Sequence, residues 1–291
     1  MTNTWIVAVS PQISALIDTG RALGGTVTAV VAGTDPSRFL GVDRVIAIAA
    51  PEGVPAEALA PSVASAVAAQ AGDVVLVANR PSERVLAGAV AAKLGAPILT
   101  GAKVIGKETA EISRYGGVTQ QTISLAQPVV LVVDGGTAPS GNAAASETVQ
   151  AEPYAATVTS TDASSVAQVN LSAAKRIVAV GRGFKSEADL QLAKDLAAAI
   201  GADLACSRPI AEGSGWLARD RYIGVSGQHV APDVYIALGI SGQLQHTVGM
   251  TDSRVVVAVN SDEHAPIFAG SDYGIVGDIY TVVPAITAAV K

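Results

Sequence analysis

The sequence of 291 residues has a single cysteine, few aromatic residues (4%) and little charge (15%). Lone Cys206 excludes an internal disulfide bond and a cysteine zinc cage, and it suits a reducing, cytoplasmic compartment. No apolar run approaches the roughly 18 residues that would span a bilayer. The start shows no secretory signal, so we expect no membrane insertion. A formal charge of −6 argues against nucleic acid as a partner.

Familiar catalytic motifs are also missing. The sequence has neither a Gly-x-Ser-x-Gly nucleophile elbow nor a phosphate-binding Gly-Lys-Ser/Thr motif. Its three histidines, His229, His246 and His264, lie in different segments without the pairing of a zinc site. No His/Asp or Tyr/Lys pair is placed for proton transfer. These absences leave no conventional catalytic or metal-binding motif in the sequence.

Alanine, valine and glycine are abundant, and 49% of the residues are hydrophobic. Unbroken apolar runs of small residues are typical of buried parallel strands packed against helices. In the first half, predicted strands and helices alternate, which indicates βαβ units on a mainly parallel sheet. The strands are expected at 5–9, 26–31, 45–48 and 73–77, and the helices at 11–23, 55–71 and 82–94.

The pattern changes after residue 109. Three strand-like segments at 111–115, 119–125 and 128–133 predict an antiparallel annex. A stretch rich in Gly, Ala, Ser and Thr follows, and it predicts a linker at about 135–172, with a possible edge strand near 157–161. The alternative is a surface excursion within one domain. We expect domains at 1–170 and 173–291, each an α/β unit with a mainly parallel sheet.

The second half returns to βαβ alternation. Strands are expected at 176–180, 204–206, 234–238 and 255–259. Ser186 and Asp189 form a capping-box pattern before a helix that ends at Ile200. A final helix is predicted to begin near Pro284, because the first helical turn needs no N–H there.

Several unusual residues follow the predicted strands, where parallel sheets bind their ligands. They include Arg182 between two glycines, Ser207-Arg208, the segment 239–242, and Asn260. Residues 181–186 match half of a dinucleotide-binding fingerprint, with Ser186 in place of the third glycine; a plain tight turn explains them equally well. For His246, the alternative to a ligand contact is a helix capped by Ser241, with the ring bonded to a carbonyl.

The last 120 or so residues resemble the FAD-binding domain of electron-transfer flavoprotein α-subunits, specifically their Fix-type (FixB-like) branch. The likeness lies in Val-Ala-Val-Gly-Arg-Gly at 178–183, Ala-Cys-Ser-Arg at 205–208, the segment 230–246, and Asp-Tyr-Gly-Ile-Val-Gly-Asp at 272–278. It therefore implies a Rossmann-like FAD-binding domain. The first half agrees with the family only in length and layout.

The resemblance implies a set of FAD-binding residues. Arg208 would lie beside the isoalloxazine ring, Ser226 near its N5 atom, and His246 near the C2 carbonyl. A cationic Arg208 and a His246 able to carry charge would favour an anionic, one-electron-reduced flavin. The full set is Arg182, Ser207, Arg208, Ile223, Gly224, Val225, Ser226, Ser241, Gly242, Gln243, Leu244, Gln245, His246, Asn260, Asp278 and Ile279.

Two positions depart from the usual family pattern. Val225 replaces the glutamine of a Gly-Gln-Thr-Gly segment, and Glu212 stands where most members carry Asp. Both departures bear on the redox potential of the flavin, whereas neither bears on FAD binding.

The function implied is that of an electron-transfer flavoprotein α-subunit. It would form a heterodimer with a β-subunit and shuttle electrons between a dehydrogenase or reductase and a downstream acceptor linked to quinone or ferredoxin. Two alternatives remain open: a stand-alone dinucleotide-dependent oxidoreductase, and a scaffold paralogue without flavin.

Overall fold

The computed structural model describes residues 2–115, 119–125, 128–161 and 169–290. The chain divides into two compact units, Met1–Ala163 and Ser164–Lys291. Each unit holds a mainly parallel sheet flanked by helices, which confirms the predicted fold class. The predicted domain limits, 170 and 173, lie slightly later in the chain and stay a prediction. Among the described residues, no helix is long and apolar enough to cross a membrane.

The N-terminal unit is built on a seven-stranded sheet in which every neighbouring pair is parallel. The strand order is β10-β3-β2-β1-β4-β9-β5. Its elements are β1 Thr2–Ala8, α1 Ser14–Leu23, β2 Gly24–Ala32, β3 Arg44–Ala49, α2 Ala60–Ala66, β4 Val74–Ala78, α3 Pro81–Leu94, β5 Ile98–Thr100, β6 Ala102–Ile105, β7 Thr109–Arg114, β8 Thr119–Ser124, β9 Val129–Val133 and β10 Ala145–Gln150.

The predicted antiparallel annex exists, but its membership was partly wrong. Strands β6, β7 and β8 form the antiparallel sheet. Strand β9, which we expected there, pairs in parallel with β4 and β5. The physical reason is burial: residues 129–132 are apolar and buried, so both faces of the strand need cover, which a central position in the parallel sheet provides.

The glycine- and alanine-rich stretch after β9 is bound to the N-terminal unit. The Tyr154 N–H donates to the Ala58 carbonyl (2.8 Å), and the Val158 N–H donates to the Gly53 carbonyl (2.7 Å). The edge strand is β10 and not residues 157–161, which form no strand. Residues 154 and 158 therefore contact the N-terminal unit. The linker at 135–172 and its alternative, a surface excursion within one domain, stay predictions, and residues 162–168 lie outside the described residues.

The C-terminal unit has a six-stranded parallel sheet with the order β13-β12-β11-β14-β15-β16. Counted from β11, this is the dinucleotide-binding order 3-2-1-4-5-6, whose chain reverses direction between β11 and β14. Its elements are β11 Arg176–Val180, α4 Leu190–Ile200, β12 Asp203–Ser207, β13 Tyr222–Ile223, β14 Val234–Leu238, α5 Leu244–Thr247, β15 Val256–Asn260, β16 Tyr273–Val276 and α6 Ile279–Ala289.

Helix boundaries in this unit partly differ from the predicted ones. Helix α6 begins at Ile279, not near Pro284, because the Asp278 carboxylate caps it by accepting from the Tyr280 N–H (3.0 Å). Before α4, Asp189 accepts from the Ser186 N–H (2.9 Å), which is one half of the predicted capping box. The Asp189 N–H donates to the Ser186 carbonyl (3.2 Å) and not to the predicted hydroxyl, and the helix starts at Leu190.

Candidate functional site

A cavity of about 690 Å³ lies at the carboxyl ends of the strands in the C-terminal unit. Residues that follow β11, β12, β14 and β15 line it, together with the start of α6. Its volume is within the range of small-molecule and cofactor sites. It therefore occupies the crevice that the strand order predicts for a dinucleotide.

Glycines bring the loops after β11 and β14 together. The Gly183 N–H donates to the Gly239 carbonyl (3.0 Å). A Cβ on Gly183 would lie 2.7 Å from Gly239 Cα, closer than real Cβ atoms approach. Gly239 itself has a positive φ of 62°. Gly183 of the half-fingerprint is therefore required for loop packing at the centre of the sheet.

Fourteen of the sixteen predicted site residues line this cavity. The two others are Gly242 and Leu244. A Cβ on Gly242 would meet Ile267 N at 2.2 Å, so this glycine is used for packing against the neighbouring loop. Leu244 begins α5 and is exposed. The fourteen are Arg182, Ser207, Arg208, Ile223, Gly224, Val225, Ser226, Ser241, Gln243, Gln245, His246, Asn260, Asp278 and Ile279.

Arg208 lies at the edge of the cavity in an ion-pair network. It precedes a π-helical turn, Pro209–Gly213, which brings Glu212 back to it. Arg208 Nε contacts Glu212 Oε2 at 2.5 Å, and Arg219 contacts the other carboxylate oxygen at 3.0 Å. The hydrogen bond from Arg208 lowers the pKa of Glu212. The ion pair uses Arg208 Nε. Among the described residues, the two terminal nitrogens of Arg208 have no hydrogen-bond or ion-pair partner.

Tyr222, which the sequence patterns did not single out, supports Ser226. Its hydroxyl contacts the Ser226 carbonyl and lies 3.0 Å from Ser226 Oγ. Val225 is exposed beside it, and its N–H donates to the Gln245 carbonyl (2.8 Å). The signal for Tyr222 was its position directly before Ile223, one of the predicted site residues.

His246 is 93% buried at the cavity wall, with 7% of its surface exposed. Its Nε2 is 2.8 Å from the Tyr235 hydroxyl, whereas its buried Nδ1 has no hydrogen-bond partner. Burial lowers the pKa of His246 to about 4, and the Ile223 backbone opposes this only in part. Burial therefore favours the neutral ring in this structure, and a charge on His246 beside a bound flavin stays a prediction. Ser241 does not cap α5, since Gln243 holds that position.

Two further residues that line the cavity, Lys185 and Tyr280, were not among the predicted site residues. The Tyr280 hydroxyl accepts from the Lys185 N–H (2.8 Å) and donates to Asp189 Oδ2 (2.7 Å). The Lys185 ammonium lies 5.2 Å from the centre of the Tyr280 ring. Tyr280 follows the predicted Ile279 directly, and Lys185 lies two residues after Gly183, so adjacency to predicted residues was the available signal.

The cavity suits an anionic, partly apolar ligand. Exposed Arg182, Lys185 and Arg208 contribute positive charge, which favours phosphate groups. Burial raises the pKa of Cys206 to about 12, so no thiolate is available there. Within the described ranges, no group of three or more His, Cys, Asp or Glu residues is placed to hold a metal ion.

Comparison with known proteins identifies the family. Residues 8–161 match the electron transfer flavoprotein domain, and residues 170–251 match the electron transfer flavoprotein FAD-binding domain. The putative electron transfer flavoprotein subunit YdiR of Escherichia coli is 35% identical, over 98% of this chain and 97% of its own. This chain belongs to the electron-transfer flavoprotein α-subunit family.

Similarity to the Fix-type branch supports the same assignment. Protein FixB of Escherichia coli is 40% identical over 231 residues, which cover 75% of this chain and 74% of FixB. The predicted relationship is confirmed, and the C-terminal unit is an FAD-binding domain. Members of this family function with a β-subunit and with redox partners.

Proposed function

We propose that this electron-transfer flavoprotein subunit holds its FAD in the 690 Å³ cavity and carries electrons between a dehydrogenase or reductase and a downstream acceptor. It does so as a heterodimer with a β-subunit, and its acceptor is linked to quinone or ferredoxin. The observation that carries the proposal is the convergence of fourteen family-like residues on one crevice of a dinucleotide-type sheet.

The residues of the cavity fit FAD by their chemistry. Arg182 and Lys185 supply cations for a diphosphate, and neither makes an ion pair within the described part of the chain. The family likeness also assigns Ser207, Asn260, Asp278 and the segment 241–246 to the nucleotide or the flanks of the flavin. Of these, Asn260 is held in place because its amide donates to the Ile240 carbonyl (2.9 Å).

Three residues are assigned to the flavin itself: Arg208, Ser226 and His246. Bound FAD supplies the ability to accept and release one or two electrons. Arg208 provides a positive charge that Glu212 holds in place and partly offsets. The Tyr222 contacts hold Ser226, and His246 contributes a neutral, buried ring. None of these roles requires a general base, which agrees with the electron-carrier assignment.

The family and the composition support the proposed β-subunit and location. The family functions with a β-subunit, and we place the proposed heterodimer in the cytoplasm because a single buried cysteine suits a reducing compartment.

The test is the visible spectrum of the purified chain, alone and co-expressed with a β-subunit of the family. We expect one FAD per heterodimer and no turnover of a small substrate by the chain alone. Turnover without a partner would favour the stand-alone oxidoreductase. A colourless heterodimer after addition of FAD would favour the scaffold and overturn the proposal.

A further inference from the structure

Tyr235 and His246 form a buried pair beneath the cavity. Tyr235 lies in the middle of β14 and is fully buried, and only His246 of the two lines the cavity. The hydroxyl of Tyr235 is 2.8 Å from His246 Nε2, with the two rings tilted by 52°. Neither the sequence motifs nor the family likeness gives Tyr235 a role.

The available acceptors determine whether the Tyr235 hydroxyl or His246 Nε2 donates the hydrogen bond. A tyrosine hydroxyl donates one proton, and a buried donor without an acceptor is costly. Among the described residues, His246 Nε2 is the one hydrogen-bond partner of the Tyr235 hydroxyl. If Nε2 carried the proton, the hydroxyl proton would have no acceptor. The hydroxyl therefore donates to Nε2, and the proton of the neutral ring resides on Nδ1.

Both groups are neutral near pH 7. Burial lowers the pKa of His246 to about 4 and raises the pKa of Tyr235 well above its usual value. Cys206, the other titratable group that acts on Tyr235, raises that pKa further. The ring consequently has one N–H, on Nδ1. This buried atom makes no hydrogen bond of regular geometry, although the Ile223 backbone acts on the ring as a hydrogen-bonding group.

We propose that Tyr235 is a positioning residue that fixes His246 as a neutral ring protonated on Nδ1, so that the cavity wall beside a bound flavin carries no charge at this ring. The flavin part of this statement rests on the proposed function. The tautomer part rests on the geometry of the pair alone.

The decisive measurement is the nitrogen-15 spectrum of the His246 ring in the full chain. His229 and His264 are exposed, so His229→Gln with His264→Gln leaves His246 as the single histidine. We expect a single neutral form, with a protonated Nδ1 and an unprotonated Nε2, from pH 8 to pH 5. A protonated Nε2, or protonation of the ring near pH 6.5, would overturn the proposal.

Tyr235→Phe tests the cause, because it removes only the hydroxyl. In this variant the single form should give way to a mixture of both neutral tautomers. Tyr222→Phe is the matched control: it removes the hydroxyl of a tyrosine that lines the cavity and contacts Ser226 and not His246. An unchanged tautomer in Tyr235→Phe would overturn the proposal. If Tyr235→Phe fails to fold, the spectrum and pH titration of the chain with Tyr235 intact still decide the tautomer.

FAD content separates this proposal from the proposed function. In the heterodimer, Tyr235→Phe should retain FAD at the original stoichiometry while the reduction potential of the flavin changes. An unchanged potential with FAD bound would overturn the flavin part. If the unsubstituted heterodimer binds no FAD, the proposed function fails, whereas the ring spectrum still decides the role of Tyr235.

Discussion

The two units share an architecture but differ at the carboxyl ends of their strands. In the C-terminal unit this edge surrounds a cavity with cationic side chains. In the N-terminal unit the loop after β9 crosses the corresponding edge and covers the start of α1. There the Ser14 and Ala15 N–H groups donate to the carbonyls of Thr137 and Gly135. The helix N-terminus that often binds an anion in such sheets is thus satisfied by the chain itself.

The same contrast holds for the arginines that follow a strand in each unit. Arg80, after β4, donates to the Gln12 carbonyl (2.6 Å) and pairs with Glu83, whose side chain is 3% exposed. Arg208, after β12, is 65% exposed and lines the cavity. One arginine ties loops together, whereas the other remains available to a ligand. Strand order alone therefore does not create a site; the loops decide whether polar groups are used internally.

The largest expected effect comes from filling the cavity that distinguishes the C-terminal unit from the N-terminal unit. Ser241→Trp should fill the C-terminal cavity and lower FAD affinity more than about 100-fold, a loss of roughly 2.7 kcal/mol. FAD content per heterodimer, measured by absorbance, checks it. Thr251→Trp is the control, because Thr251 is exposed and outside the cavity. Stoichiometric FAD in Ser241→Trp would contradict the proposed location.

A pair of glycines gives the second test. Gly183→Ala should destabilise the chain by up to about 3 kcal/mol, because its Cβ would push against the Gly239 backbone. Gly88→Ala, in α3 of the N-terminal unit, meets no atom within 4 Å. It should stabilise by roughly 0.5–1 kcal/mol, as expected for alanine in a helix. Urea unfolding measures both, and equal effects would show that the Gly183–Gly239 contact is not close.

The pH dependence of stability should differ between the units. The unfolded chain protonates His246 below about pH 6.5, whereas the folded chain resists protonation to about pH 4. The stability of the C-terminal unit is therefore complete above pH 6.5 and decreases as the pH falls, by about 2 kcal/mol between pH 7 and pH 5. The N-terminal unit has no histidine and should not show this loss.

One tryptophan in each unit makes the comparison measurable. Trp5 reports on the N-terminal unit and Trp216 on the C-terminal unit, so Trp216→Phe and Trp5→Phe leave single reporters. Urea unfolding at pH 7 and pH 5, followed by fluorescence, gives the two losses. His246→Gln should abolish the extra loss in the C-terminal unit. The same loss with and without His246 would contradict its low pKa.

These contrasts also show how far the sequence predicts the molecule. Apolar runs such as residues 74–78 can only be buried strands, so the parallel sheets were predictable. Arg182, Ser207 and Asn260 each follow a predicted strand. Because the carboxyl ends of parallel strands lie at the same edge of a sheet, their position at one crevice was predictable. The likeness to a flavoprotein family added residues 223–226, which no general rule singles out.

Other features depend on contacts that no local pattern contains. In the sequence, Tyr235 looks like an ordinary strand residue. Its hydrogen bond to His246 exists because the fold brings α5 next to β14. The burial that lowers the pKa of His246 follows from the fold and not from the residue type, so the sequence alone does not indicate it. Strand β9 was misassigned because its near neighbours in sequence, β7 and β8, are antiparallel, whereas its partners β4 and β5 come earlier.

The smallest expected effect concerns the two Arg–Glu pairs, Arg80–Glu83 and Arg208–Glu212. Glu83→Gln should destabilise the N-terminal unit by about 1–2 kcal/mol, since the carboxylate is buried and bonds to a charged group. Glu212→Gln should change stability less than Glu83→Gln does, because Arg208 is largely exposed. It should instead raise the reduction potential of the flavin, since a negative charge next to Arg208 is removed. Urea unfolding and a redox titration measure the two quantities. A large loss of stability with an unchanged potential in Glu212→Gln would mean that both pairs act only as structural ties.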